Sequence, residues 1–422
     1  VCSNWAFTDH MPEPVSAPVN FLSGDYSPED SVNSARLSGR YLAHQGTPWD
    51  LMAWSFSRTP GKDGHNQKSV VQLQREAAVV LALGGGFQAY FTQKRDGSIR
   101  EETVPVMAEV AKFCRARQAL CHRATQVPQV ALLYSTAAHY RRNNGLFHRD
   151  LARMSGALQA LLEDQQVVDL VGEHHLTGHM ADYPLIIVPE WDYLSLQFKD
   201  ELVEYVKGGG SLLLIGPGAA ALFQGELDVA MEGRPRPAKD CRLAYDGQTA
   251  PIYGQTQSAK LGPKCTAVGR VQMADSSSQP AASVCEFGQG KIAAVYFTFG
   301  QGYVDARTDL ARRFLNDLAR ELFPDPMVVV KGSRDVDVVV NRLNGKLMVN
   351  LVNTAGPHRT EPILDTIPPV GPLTVTIRHA TNPTKVTLEP AGFSLPFEHH
   401  DGRIRCTVPR VDIHEIIVVE AP

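Results

Sequence analysis

The first 125 residues alternate between short strand-like runs and helical stretches, and this alternation restricts the possible folds more than any other feature. Strand-favouring runs lie at 1–6, 20–25, 48–56 and 86–92, and helical patterns lie near 31–45, 67–83 and 101–125. A regular exchange of strands and helices is typical of a parallel sheet covered by helices. Acidic and aromatic residues at the strand ends favour a (β/α) barrel.

The number of these units predicts only part of a barrel. About four β/α units fit before residue 125, whereas an eight-fold barrel takes roughly 250 residues. The first run also lacks an initiator Met and an N-terminal cap. We therefore expect residues 1–126 to form the C-terminal half of a (β/α)8 barrel in a chain whose first half is missing.

Two further regions follow the partial barrel. Buried parallel strands are predicted at 129–134, 183–189 and 211–216, which favours a flavodoxin-like, doubly wound domain over 127–326. A Gly-, Pro-, Ser- and Gln-rich stretch at about 225–290 predicts an inserted region of short strands and loops. Alternating runs in 327–422 predict a β-sandwich. The predicted fold class is therefore α/β, with a partial barrel, a doubly wound domain and a C-terminal sandwich.

Composition excludes several classes of partner. The net charge of −4 gives no reason to expect a nucleic acid or an anionic membrane as partner. The longest apolar runs fall short of the ~18 residues that span a bilayer. Neither a leader nor a compartment can be read from the sequence, so bacterial cytoplasm and secretion both stay open.

The cysteines and histidines do not predict a metal or cofactor. The chain has seven Cys, none in a C-x-x-C pair, and we expect buried structural thiols with little dependence on disulfides. A Cys241–Cys265 disulfide is the one pairing considered. The adjacent pairs His174-His175 and His399-His400 would point to opposite faces of a strand, which is not metal-ligand spacing.

Several segments together resemble bacterial glycoside hydrolases that carry a β-galactosidase trimerisation domain. They are SNWAFTDHMPEP, FLSGDYSPEDSVNSARLSGRYLA, PWDLMAWSF, VALLYSTAAHYRRNNGLF, YPLIIVPEWDYLS, VKGGGSLLLIG and LNGKLMVNLVN. The barrel pieces are also similar to α-L-fucosidase-like barrels. The resemblance implies a retaining hydrolase with a nucleophilic carboxylate and an acid/base carboxylate, acting on terminal galactosides or fucosides. It also implies a homo-oligomer, specifically a trimer.

Two carboxylates are candidates for these catalytic roles. Asp25 lies where a predicted strand passes into a loop, the position at which barrel enzymes place catalytic groups. The alternative for Asp25 is a helix cap near residue 30 or an Asx turn. Glu13 lies between two prolines in a loop after the first strand, and its alternative is an exposed loop carboxylate. Asp50 lies at the start of its strand, where a structural role is expected.

Six further residues are candidates for sugar binding. Trp5 and Trp54 would support the apolar face of a sugar, and Asn4 or His10 would bond its hydroxyls. Gln88 and Tyr90 alternate on the last barrel strand and would contact substrate. Packing in the core or in the barrel interior is the alternative for Trp54, Gln88 and Tyr90.

The doubly wound region does not predict chemistry of its own. Its fold is similar to class I glutamine amidotransferases, which need a Cys nucleophile on a tight turn, but the turn at 214–219 has none. Pro217 removes a backbone donor from the Gly216-Pro217-Gly218 loop, and Gly84-Gly85-Gly86 tightens the entry to the last barrel strand, so a phosphate site is not expected at either loop. The leading hypothesis is therefore a glycoside hydrolase. The alternative is a non-catalytic, oligomeric carbohydrate-binding or assembly protein.

Overall fold

The computed structural model of the chain describes residues 2–4, 11–27, 30–58, 65–143, 150–358 and 363–421. Contacts within the chain define two compact units. The first unit comprises Val1–Asp9, Val15–Val127 and Met327–Pro422. The second comprises His10–Pro14 and Pro128–Pro326.

The N-terminal part of the first unit is a parallel sheet with helices on one face. Its elements are β1 (Cys2–Asn4), β2 (Phe21–Asp25), α1 (Ser31–Leu42), β3 (Trp49–Trp54), β4 (Phe56–Arg58), β5 (His65–Gln67), α2 (Val70–Ala82), β6 (Gly86–Tyr90), α3 (Val104–Cys121) and β7 (Thr125–Gln126). The sheet has the order β1-β2-β3-β6, and every neighbouring pair is parallel. Strands β4 and β5 form a separate antiparallel pair.

The helices of this sheet begin at side-chain caps and bury apolar faces. Asp30 caps α1, where its Oδ1 accepts from the backbone N–H of Asn33 at 3.2 Å. Ser69 caps α2 in the same way, accepting from Gln72 N–H at 3.1 Å. These caps satisfy N–H groups that have no partner inside the helix. One face of the sheet then packs in a common core with the helices, in which Leu22, Leu51, Ala53, Val32, Leu73 and Val79 are fully or almost fully buried.

The second unit is built on one large mixed sheet. Its elements are β8 (Val130–Tyr134), α4 (Thr136–Arg142), α5 (Ala152–Leu162), β9 (Val168–Gly172), α6 (Glu173–Leu176), β10 (Leu185–Pro189), α7 (Leu196–Lys207), β11 (Ser211–Ile215), α8 (Pro217–Leu222), α9 (Gln224–Leu227), β12 (Val229–Pro237), β13 (Arg242–Tyr245), β14 (Gln248–Pro251), β15 (Gln255–Leu261), β16 (Cys265–Gln272), β17 (Ser278–Phe287), β18 (Gly290–Val295), α10 (Gly300–Ala306) and α11 (Asp309–Leu322).

The strand order of that sheet explains its buried sequence runs. The parallel strands lie in the order β9-β8-β10-β11-β18, and β17, β16, β13 and β14 extend the sheet with antiparallel pairs. Every residue of β8, β9, β10 and β11 is buried. A strand that is covered on both faces needs apolar side chains on both, which is why these runs do not alternate.

The C-terminal part of the first unit consists of antiparallel strands. They are β19 (Val328–Lys331), β20 (Val336–Leu343), β21 (Lys346–Asn353), β22 (Leu373–Arg378), β23 (Lys385–Glu389), β24 (Phe393–Ser394), β25 (Phe397–His400), β26 (Arg403–Val408) and β27 (His414–Glu420). One sheet has the order β19-β22-β26-β25, and the other has the order β24-β23-β27-β21-β20-β7. Asn344 and Gly345 both have positive φ, as a type I′ hairpin turn between β20 and β21 requires.

This part packs on the helices of the parallel sheet. Met348, Ile416 and Val418 share a buried cluster with Ala77 of α2 and Cys121 of α3. Asp337 of β20 is fully buried between two arginines of α1, with Arg36 Nε at 3.0 Å and Arg40 Nη2 at 2.7 Å. The first unit is therefore one core assembled from sequence segments that lie far apart.

The mixed α/β class that the sequence predicts is confirmed, whereas the partial barrel and the three domain boundaries stay predictions. Two local predictions were wrong. His174 and His175 lie on the short helix α6 with their ring centroids 3.8 Å apart, rather than on opposite faces of a strand. The disulfide joins Cys265 to Cys285, which are directly paired on β16 and β17, while Cys241 is free. In the described part of the chain, no helix has the length and apolar character needed to span a membrane.

Candidate active site

The strand register of the parallel sheet places four of the predicted site residues on one face. Asp25 is the register partner of Met52, and Met52 is the partner of Gln88. Trp54 is the partner of Tyr90. Side chains at partner positions share a face, as do residues two apart on a strand. Asp25, Trp54, Gln88 and Tyr90 therefore all lie on the face opposite the helices, near the C-terminal ends of the strands.

Asp25 is the carboxylate at the strand ends on this face, since Asp50 lies on the same face but near the start of its strand. Asp25 is half-buried, and that burial raises its pKa above the usual value of 3.8. The Trp54 indole N–H donates to the Asp25 side chain and opposes this rise by stabilising the ionised form. Asp25 does not cap the following helix, because Asp30 does so. Its side chain is therefore not committed to the helix-capping alternative that the sequence left open.

Aromatic rings lie beside Asp25 at the strand ends. Trp54 stacks on Phe56, with ring centroids 5.4 Å apart and planes inclined by 27°. Phe56 in turn meets Tyr90 edge-to-face at 5.7 Å. Phe56 is buried, Trp54 is partly exposed and Tyr90 is 40% exposed. Trp54 and Tyr90 therefore present partly accessible ring surface beside a half-buried carboxylate.

Gln88 and Asp50 form a pair on the same face. Gln88 Nε2 donates to Asp50 Oδ2 at 2.8 Å. Gln88 is exposed and Asp50 is only partly so, and Asp50 lies at the start of its strand, below the strand ends. The pair fixes the orientation of the Gln88 amide, while the role of Gln88 toward a substrate stays a prediction.

Four of the predicted site residues lie in or just after the first strand, and the structure describes two of them. Trp5 and His10 lie outside the described residues. The backbone of Asn4 pairs with Ser23, and this pairing extends the parallel sheet to β1. Glu13 is exposed, and it belongs to the second unit, within the segment His10–Pro14.

Glu13 has a specific partner in that second unit. Burial of the Tyr140 hydroxyl raises the pKa of Tyr140, and a hydrogen bond to Glu13 raises it further. The backbone next to Glu13 is also fixed, because Thr136 Oγ1 donates to Pro12 O at 2.8 Å. Thr136 and Tyr140 both lie on α4, so this helix anchors the loop that carries Glu13.

A buried network under the strand ends was not found by the sequence analysis. Glu76 of α2 is completely buried and accepts from the Tyr26 hydroxyl at 2.7 Å. Lys68 Nζ lies 2.9 and 3.0 Å from its two oxygens, and Lys68 is also completely buried. The available signal was the Arg75-Glu76 pair, the two charged residues of helix α2. Charges at such positions need buried partners, but the sequence does not identify them.

A second carboxylate at a strand end lies in the other unit, where Glu190 follows β10. Glu190 has a positive φ of 54° and is 5% exposed. Its Oε1 accepts from the backbone N–H groups of Phe299 at 3.0 Å and Gly300 at 2.5 Å. Its Oε2 lies 3.9 Å from Arg153 Nε. The sequence-predicted turn at 214–219 is present as well, with Gly216 at a φ of 91° between β11 and α8. The carboxylate of Glu190 is already bonded to the backbone.

The described residues contain no group of three or more His, Cys, Asp or Glu side chains placed to hold a metal ion. The open face of the parallel sheet carries the carboxylate of Asp25, the amide of Gln88 and the phenol of Tyr90.

Solved structures with the same fold are glycoside hydrolases. An α-L-fucosidase isoenzyme 2 from Paenibacillus thiaminolyticus matches with a TM-score of 0.78 and 20% identity, covering 92% of this chain and 63% of that one. A catalytic mutant of the GH42 β-galactosidase Gan42B from G. stearothermophilus matches with a TM-score of 0.67 and 16% identity over 95% of this chain and 59% of that one. A β-galactosidase from Bacillus circulans sp. alkalophilus gives 0.65 and 12%, over 94% and 60%.

These likenesses establish the fold. At identities of 12–20% they establish nothing finer. The chain spans 59–63% of the length of these three structures. No family model matches the sequence. No curated protein matches it either.

Proposed function

We propose that the chain is part of a glycoside hydrolase that acts on terminal galactosides or fucosides, with Asp25 as one of its two working carboxylates. The observation that carries this proposal is the setting of Asp25: half-buried at a strand end, bonded by the Trp54 indole, and beside exposed aromatic surface. The fold shared with α-L-fucosidase and β-galactosidase structures supports the same reaction class.

The electrostatics of Asp25 suit the acid/base role. Glycoside hydrolysis requires one carboxyl group that can be protonated and one that stays ionised. Burial favours the protonated form of Asp25, so this residue would protonate the leaving oxygen and later activate water. Trp54 and Tyr90 would hold the apolar face of the sugar, and Gln88 would bond a hydroxyl.

The second carboxylate is proposed to be Glu13. Its anchoring by Tyr140 and α4 supports a fixed position for the loop that carries it. In a retaining enzyme the two carboxyl groups stand about 5–5.5 Å apart, and in an inverting one about 6.5–9.5 Å. A retaining reaction therefore requires the shorter separation between the two working carboxylates.

Two structural proposals accompany the reaction. The four-stranded sheet carries its helices on one face and Asp25 on the other, which suits one half of a (β/α)8 barrel. The second unit is proposed to mediate homo-oligomerisation, to a trimer, because the sequence resembles hydrolases that carry a β-galactosidase trimerisation domain. Light scattering of the purified protein tests the oligomeric state.

The test of the function is hydrolysis of a panel of nitrophenyl glycosides that includes the β-galactoside and the α-fucoside. The panel is assayed with this chain and with the longest open reading frame that contains it, each beside its Asp25→Asn variant. Activity that depends on Asp25 supports the proposal and names the sugar, and the anomer first released distinguishes retention from inversion. No hydrolysis in either form, or activity unaffected by Asp25→Asn, overturns it. Sugar binding without hydrolysis would point to the binding-protein alternative.

A further inference from the structure

Glu76 is a buried carboxylate whose oxygens are all engaged. Tyr26 donates to Oε2 at 2.7 Å, and Ser31 Oγ donates to Oε1 at 2.9 Å. Lys68 Nζ bonds both oxygens, at 2.9 and 3.0 Å. The Lys68 and Glu76 side chains have no exposed surface, and Tyr26 is 3% exposed. None of these groups can touch a substrate directly.

One arm of this network reaches the end of β2. Tyr26 is the residue directly after Asp25, the last residue of that strand. Its phenol is held on Glu76, and Glu76 lies in the middle of helix α2. Movement of Asp25 away from its present position would therefore pull on the Tyr26–Glu76 hydrogen bond.

The other arm reaches the ends of β3 and β6. The backbone N–H of Lys68 donates to Ser55 O at 2.7 Å, and Ser55 is the residue directly after Trp54. Ser55 N–H donates in turn to Tyr90 O at 2.9 Å. One carboxylate therefore connects the ends of three adjacent strands, and each of these ends carries a residue of the candidate site.

A buried ion pair of this kind is a poor way to gain stability, since removing two charges from water costs about as much as their attraction returns. In some proteins a buried ion pair is retained because it fixes a geometry. We propose that the Lys68–Glu76 pair is a positioning device that holds Asp25 and Trp54 in hydrogen-bonding contact, through Tyr26 on one strand and Ser55 on the next. This inference rests on the proposed function for its catalytic meaning, but its geometry can be tested alone.

The direct readout is the indole N–H resonance of Trp54 in protein labelled with [¹⁵N]tryptophan. The chain has four Trp, and Trp54→Phe assigns the signal. Asp25→Ala gives the position of this signal without its acceptor. Tyr26→Phe removes one link of the network and leaves Glu76 bonded to Lys68 and Ser31. We expect Tyr26→Phe to move the Trp54 signal toward its Asp25→Ala position by more than the line width.

A matched variant separates positioning from general loosening. Tyr183 of the second unit is also buried and donates to a carboxylate, Asp169 Oδ2, at 3.1 Å. Tyr183→Phe removes the same kind of bond and should leave the Trp54 signal in place. Glu76→Gln is the stronger perturbation, and if it does not fold, Tyr26→Phe decides alone. A folded Tyr26→Phe protein with an unmoved Trp54 signal overturns the inference.

Measurements of kcat and KM then test whether the positioning affects catalysis. In the active form of the enzyme, Tyr26→Phe should lower kcat by about 10-fold, with KM changed less, because misplacing a reacting group affects the chemical step most. Tyr183→Phe should change neither constant. If the unmodified protein hydrolyses no glycoside, the proposed function fails while the resonance still decides the positioning. If hydrolysis is found but the resonance does not move, the positioning fails alone.

Discussion

Two carboxylates occupy comparable places in the two units, but they differ in the bonds that they already make. Asp25 and Glu190 both lie where a parallel strand ends, and burial raises the pKa of each. Asp25 is half-buried and shares one bond with an indole. Glu190 is buried and accepts from two backbone N–H groups, with Arg153 also near.

The difference shows that a strand end and a raised pKa do not by themselves define an active site. The bonds already made by the carboxylate decide whether it can act. Glu190 accepts from the N–H groups of Phe299 and Gly300 at the start of α10, so we expect it to have a structural role. Asp25 retains capacity to bond a ligand, and it has aromatic surface beside it.

The comparison breaks most clearly if Asp25 proves dispensable. Asp25→Asn should lower turnover at least about 100-fold, the scale of a general acid/base contribution. The unfolding midpoint should stay the same or rise, because the neutral amide loses less hydration on burial. Kinetics of the active form on its best glycoside, with thermal unfolding of the same samples, measure both. Near-normal turnover would remove Asp25 from the mechanism.

Glu190 should give the opposite result. Glu190→Ala leaves the N–H groups of Phe299 and Gly300 buried without an acceptor, which should lower the free energy of unfolding by about 1–3 kcal/mol. Urea unfolding followed by tryptophan fluorescence measures this, and Trp191 is the adjacent probe. Turnover per folded molecule should not change.

Glu190→Gln is the matched control, because its amide oxygen can still accept from both groups. It should lose less stability than Glu190→Ala. A Glu190→Ala protein of normal stability and impaired turnover would contradict the assignment of a structural role.

Trp54 tests the aromatic part of the difference. Trp54→Leu should raise KM about 10-fold by removing a ring that supports the sugar. Trp54→Phe keeps a ring and loses the N–H donor, so it should bind better than Trp54→Leu. Since the indole bond lowers the pKa of Asp25, its loss should raise that pKa and move the corresponding limb of the pH–rate profile to higher pH. An unmoved limb would show that the indole does not act on Asp25 in solution.

The smallest effect concerns Glu415 of β27, a third carboxylate perturbed by burial. Burial raises its pKa from 4.5 to about 7, with Arg117 opposing this rise. Its contribution to stability is therefore complete below pH 4.5 and is lost as the pH rises through about 7. Urea unfolding across this range should show falling stability, and Glu415→Gln should flatten this part of the profile. Turnover should not change in Glu415→Gln. A loss of turnover in this variant would contradict the distinction between a carboxylate with a raised pKa and a catalytic one.

Much of the fold follows from local patterns in the sequence. The runs 130–134, 185–189 and 211–215 form fully buried strands because they are apolar on both faces, and this is visible without any partner. The cap at Asp30 is equally local, since it depends on residues three positions apart. The positions of Asp25 and Trp54 at strand ends were predicted because strand ends can be recognised from the same apolar runs.

The features that escaped prediction depend on residues distant in the chain. Cys265 pairs with Cys285 rather than Cys241 because the register of β16 and β17 places them opposite each other. The Tyr26–Glu76 bond spans 50 positions. Neither contact can be predicted from a local sequence pattern. The hydrogen bonds from Phe299 and Gly300 to Glu190 could not be predicted for the same reason.

The division of the chain into segments also determines the order in which it can fold. The second unit is almost continuous in sequence, whereas the first needs residues 15–127 together with 327–422. Strand β7 pairs with β20 through Thr125 and Arg342. The side chain of Arg36 donates to Asp337, which lies 301 positions later in the chain. During synthesis, the second unit can therefore close first. The sheet that carries Asp25 gains its last support only when the C-terminal strands leave the ribosome.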